Sequence, residues 1–165
     1  FYTTSTTTTE DSAAKRYVWN YYNRVNTALR GTTETADNWT YTTQTYRQAN
    51  ANAANQVSLL NGYPEDIVSV RVLAVGRNSG GGVGLSVAIG ENSTSAVATG
   101  CIRGRSDSPA AGIYVLVIAQ LDTPPATGLT NYTWLELSQA AGTTTWFGDN
   151  GSTVMQTGIS GRWRR

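Results

Sequence analysis

The chain has 165 residues, of which 39% are hydrophobic and only 14% charged, with a net charge of +1. That length suits one domain with its own core, and so small a net charge excludes a global field steering the chain to nucleic acid or a membrane surface. A single cysteine, Cys101, excludes an internal disulfide, and the absence of histidine excludes imidazole-based catalysis and most zinc sites.

Charged residues fall well below the usual share of about 25%, so the polar surface comes from Thr, Asn, Ser and Gly. Thr, the most frequent of these, is β-branched and suits a pleated, half-buried surface. The chain opens on Phe1 rather than Met, followed by a Thr-rich stretch. Residues 1–15 are therefore expected to be an extended arm from a missing upstream region, and residues 16–165 a folded domain.

Residues 16–24 alternate as a strand, with Tyr17, Trp19 and Tyr21 on one face. Residues 38–46 do the same, with Trp39, Tyr41 and Thr43 together. Residues 46–60 are alanine-rich but carry no apolar stripe at helical spacing, and asparagines interrupt them. They predict a loop with one short helical turn, ending in a short apolar segment at residues 56–60. The turn Asn61-Gly62-Tyr63-Pro64 follows.

Residues 67–75 give the cleanest alternation, with Val68, Val70 and Val72 inward and Ser69 and Arg71 outward. Residues 77–82 predict a glycine-rich hairpin loop. Residues 83–89 then place Val83, Leu85, Val87 and Ile89 on one face and Gly84, Ser86 and Ala88 on the other. The small face predicts close approach by another stretch of backbone. Residues 96–103 predict a further strand around Cys101, which reads as a small buried hydrophobe.

Residues 113–120 are apolar on both faces, with Ile113, Val115 and Val117 on one and Tyr114, Leu116 and Ile118 on the other. A two-sheet protein wets its outer faces, so one side of this strand needs cover from a loop or a neighbouring subunit. Tyr114, Leu116 and Ile118 are the candidate subunit interface, together with Trp163 in the arginine-rich tail. Strands are also predicted at residues 132–138, 142–147 and 152–157, with a turn at Gly148-Asp149-Asn150-Gly151. The whole reads as an all-β, antiparallel β-sandwich, jelly-roll-like, with an extended N-terminal arm.

No catalytic residue is expected. Adjacent carboxylates such as Glu65-Asp66 point to opposite faces of an extended chain and make a poor catalytic pair. A small glycosidase using two of Glu65, Asp66, Glu136 and Asp149 is the weakest alternative. Glu136 lies in an apolar strand, where an arginine partner is the expected explanation. Residues 80–84 lack the lysine of a phosphate loop. Asp149 and Asn150 supply too few carboxylates for a calcium site, so no metal and no cofactor is expected. Five Trp and nine Tyr remain. Flat aromatic faces beside amides are what sugar recognition needs, and Trp146, Asp149 and Asn150 are the candidate glycan contacts.

The run Asp11-Ser12-Ala13-Ala14-Lys15-Arg16-Tyr17-Val18-Trp19-Asn20-Tyr21-Tyr22-Asn23-Arg24 resembles a segment of phage virion structural proteins, tail-fibre-like or otherwise surface-exposed. The runs Thr143-Thr144-Thr145-Trp146-Phe147-Gly148-Asp149-Asn150-Gly151 and Gly158-Ile159-Ser160-Gly161 add to the likeness. The resemblance implies a C-terminal β-sandwich head on the virion surface, often trimeric, contacting other virion proteins and in some cases a host glycan. A secreted carbohydrate-binding module is the alternative. Neither reading calls for nucleic acid or for membrane insertion.

Overall fold

The computed structural model describes residues 3–5, 8–9, 26–62, 64, 66–149, 151 and 155–164. The strand expected at residues 16–24 lies outside them, as does most of the arm. Within the arm, β1 (Thr3–Ser5) and β2 (Thr8–Thr9) pair antiparallel.

Valine alternation builds the centre. In β7 (Val68–Asn78), Val68, Val70, Val72 and Ala74 are buried, while Arg71 and Leu73 face out. β7 pairs on one side with β10 (Val115–Thr123) and on the other with β13 (Gly158–Arg164), which pairs in turn with β3 (Asn26–Thr33). The far half of β7 is flanked by β12 (Thr144–Phe147), and β12 by β4 (Asn38–Thr40). The second sheet runs β6 (Gln56–Asn61), β11 (Gly128–Ser138), β8 (Val83–Glu91), β9 (Gly104–Ser108), with β5 (Arg47–Gln48) beside the end of β11. Every one of these pairings is antiparallel.

In chain order the eight main strands are β3, β6, β7, β8, β9, β10, β11 and β13. The chain changes sheet at every step except β8 to β9, and the first of these strands lies beside the last. This is the strand order of a jelly roll. The inward faces of β7, β8 and β10 meet between the sheets, burying Leu85, Val87, Ile89, Val117, Ala119 and Leu121.

The sheets touch along one side, where Ile102 and Gln120 exchange backbone hydrogen bonds of 2.8 and 3.0 Å. The approach requires glycine at the start of β9, since a Cβ on Gly104 would lie 2.0 Å from the Ile118 carbonyl oxygen. Along the small-residue face of β8, backbone approaches at Ser86, whose hydroxyl donates to the Gly104 carbonyl at 2.8 Å, whereas a Cβ on Gly84 would meet the side chains of Arg105 and Asp107 at 3.0 Å. At the end of the strand a Cβ on Gly90 would lie 2.3 Å from the Ser93 carbonyl oxygen. Cys101 packs against the core, and its Sγ accepts the Ile89 N–H at 3.3 Å.

Four expectations need correction. Of residues 38–46 only Asn38–Thr40 form a strand. The glycine-rich turn at residues 79–82 joins the two sheets and is no hairpin, because β7 and β8 do not pair. Residues 96–103 hold only the bridge at Ile102, with their backbone bonded to the flank of β8 (Ala98 N–H to Ile89 O, 2.8 Å). The last strand is Gly158–Arg164, whereas residues 155–157 are irregular and 152–154 are not described.

Candidate functional site

The outer face of the first sheet divides into two halves. Across β7 and β10, Leu116 stands opposite Val75 and Ile118 opposite Leu73; then Gln120 stands opposite Arg71 and Asp122 opposite Ser69. One half is therefore apolar and the other polar. In the apolar half Leu116 is 54% exposed, Tyr114 48% and Leu73 36%. Tyr114 lies on Phe147 with ring centroids 4.9 Å apart, and the Arg77 guanidinium sits 5.4 Å from both centroids. Phe147 is buried beneath this pair on the same outer face. Contiguous exposed apolar surface of this kind marks interaction sites. Three of the residues expected at an interface, Tyr114, Leu116 and Ile118, thus come together, joined by Leu73 and Val75. Their inward neighbours Val117, Ala119 and Leu121 fill the core, which settles which face of the two-faced strand needs cover.

Trp163 does not join them. Period-2 alternation along β13 sends Ile159 and Trp163 inward and Ser160, Arg162 and Arg164 outward, so Trp163 is only 6% exposed within the core cluster. Burial also removes Trp146 from the sugar-contact set. It is fully buried, with its Cε3 3.1 Å from where a Cβ on Gly76 would stand, and no face is open to a ligand. Its strand partner is Trp39, which meets Trp134 edge-on at 5.9 Å. Asp149 serves the turn, accepting the Gly151 N–H at 3.0 Å. Asn150 lies outside the described residues. Trp146 therefore offers no aromatic platform beside Asp149.

Two buried carboxylates hold the loop between β4 and β6. Glu136 accepts the Trp39 indole N–H at 2.6 Å, Arg47 at 2.8 Å and 2.9 Å, and the Asn50 backbone N–H at 3.2 Å. Arg47 is the partner expected for this glutamate, and its guanidinium also lies 4.0 Å from the Tyr41 ring centroid. Burial pushes the Glu136 pKa up, while the Trp39, Arg47 and Asn50 donors act against it. Every partner here is a donor, an arrangement suited to a carboxylate anion. The Glu136–Asn50 bond pins the 3-10 turn Ala49–Ala51, where Asn50 and Ala51 take left-handed φ values of 55° and 50°. The residue pattern of 46–60 predicts such a turn but carries no sign of the carboxylate that fixes it.

Glu34, which composition and pattern leave unremarked, is the second. Its carboxylate accepts the Ala36 N–H at 3.0 Å and the side-chain amides of Asn52 and Asn55 at 3.1 and 2.7 Å. Burial pushes its pKa up, but the Ala36 N–H and the Asn55 and Asn52 amides outweigh that and hold it below its ordinary 4.5. A carboxyl depressed on folding stabilises the fold above its unfolded pKa and loses that contribution as pH falls through the folded value. Urea midpoints measured from about pH 7 to about pH 3 should therefore fall more steeply for wild type than for Glu34→Gln. Parallel curves would show that Glu34 is not the responsible group.

Among the described residues no group of three or more His, Cys, Asp or Glu could hold a metal ion, and no helix is long and apolar enough to cross a membrane. Neither a family model nor a curated protein matches the chain.

Proposed function

We propose that this chain is a non-enzymatic structural domain of a phage virion, displayed on its surface as a homo-oligomer, with a trimer favoured. The observation that carries the reading is the outer face of β7 and β10, where Tyr114, Leu116 and Leu73 lie exposed beside one another. Jelly rolls recur in capsid and lectin domains, and the fold alone assigns neither role. The second stretch resembling virion proteins, residues 143–151, builds β12 and supplies the core tryptophan Trp146. The non-enzymatic reading rests on the fate of the described buried carboxylates. Glu34 and Glu136 are enclosed by donors that fix a loop, and the chain has no histidine to work with them. Attachment to a host glycan is a secondary role, and Tyr114 is its remaining strongly exposed aromatic among the described residues.

Sedimentation velocity tests the reading. Wild type should associate at micromolar concentration. Leu116→Lys should weaken association by roughly 10- to 150-fold, the equivalent of the 1.5–3 kcal/mol gained by burying a leucine side chain. Its circular dichroism and melting temperature should not change, since residue 116 is exposed in the single chain. A wild-type protein that stays monomeric at every concentration would overturn the reading.

A further inference from the structure

The sign of the charge on this same face carries the argument further, on the assumption that the face is where copies of the chain meet. The outward positions of β7, β10 and β13 carry Arg71, Arg77, Arg162 and Arg164, with Asp122 as the single carboxylate. Asp122 is already occupied. Its two oxygens accept the Ser69 hydroxyl at 2.5 Å and the Gln120 amide at 2.6 Å, both from its own sheet. The Ser69 and Gln120 donors, with Arg162 on the same face adding to them, hold its pKa below the ordinary value, while the ion pairs Arg47–Glu136 and Arg105–Asp107 lie elsewhere. Four arginines against one aspartate leave the face at +3, whereas elsewhere among the described residues, the buried Glu34 and the Arg47–Glu136 pair aside, the five carboxylates Asp37, Asp66, Glu91, Asp107 and Asp149 outnumber the three arginines Arg30, Arg103 and Arg105.

Two ways of pairing such a face follow from symmetry. In an isologous contact the face meets itself, and every arginine is brought toward a surface of the same sign. In a heterologous contact it meets a different surface of the next copy. Only the second brings opposite signs together, and only the second closes a ring of three. We propose that the outer face of the first sheet docks head to tail onto the net-negative remainder of a second copy, and not onto the same face of that copy. The exposed Leu73, Tyr114 and Leu116 supply the contact area. Arg77, stacked on Tyr114 and Phe147, is presented at its rim.

The full-length chain carrying Arg71→Glu and Arg162→Glu separates the two arrangements. Both residues are exposed, so the fold is retained and is checked by circular dichroism. Head-to-tail docking predicts that the double variant self-associates about tenfold more weakly than wild type. It also predicts that added salt weakens wild-type association, because an attraction is being screened. Self-association unchanged or strengthened by the double variant, or wild-type association strengthened by salt, overturns the proposal and leaves the oligomeric reading intact. A wild-type chain that does not associate at any salt concentration removes the oligomeric reading itself, and the proposal with it.

Discussion

Glu136→Ala is expected to lower the unfolding free energy by about 3–5 kcal/mol, the loss typical when one partner of a buried ion pair is removed. The cause is not the lost attraction alone. Glu136 is fully buried, and deleting its carboxylate leaves the Trp39 indole N–H, the Arg47 guanidinium and the Asn50 N–H without their acceptor. A buried donor left unsatisfied loses the hydration it had in the unfolded chain and gains nothing in return. The Asn50–Ala51 turn loses its anchor at the same time. Arg47→Ala should cost less, because its side chain is 34% exposed and Glu136 keeps the Trp39 and Asn50 donors. Urea titration reads both variants as a shift in midpoint at constant slope. A Glu136→Ala midpoint equal to that of wild type would remove the carboxylate from the structural framework and reopen its chemistry.

The second large effect belongs to Trp146. Trp146→Ala should destabilise by about 3–5 kcal/mol, the range for deleting a buried aromatic. Trp146→Phe should retain most of the stability, because the indole N–H makes no hydrogen bond among the described residues. On a glycan array, Trp146→Phe should leave any signal of the wild-type protein unchanged. A binding signal abolished by Trp146→Phe, with the melting temperature preserved, would contradict the core assignment.

The strands that could be read from residues alone are β7, where apolar and polar side chains alternate, β8, where large and small ones do, and β10, an apolar run, since each buries one face against the other sheet. β9 (Gly104–Ser108) could not be read so. It is a polar strand of glycine, arginine, aspartate and serine, and its place comes from pairing with β8. β13 was hidden by its composition, because arginine and glycine mask an alternation that puts Ile159 and Trp163 inside. Trp146 pointed to the surface because a Gly-Asp-Asn-Gly turn follows it. In the fold its neighbour Phe147 takes the outer face, and Trp146 fills the space above Gly76. The exposed face itself was legible at residues 113–118, where both sides of one strand are apolar. What the residues of that strand could not give is the register with β7, which adds Leu73 and Val75 to the same patch.

Hydroxyl-radical footprinting across a concentration series tests most directly whether this face is where the protein works. In dilute solution Leu73, Tyr114 and Leu116 should be oxidised readily, as their exposure in the single chain requires. At concentrations where the chain associates, those three should become protected, while Leu60 and Ile102, more exposed still and elsewhere on the surface, should show a smaller change. Association without protection at Leu73, Tyr114 and Leu116 would contradict the account.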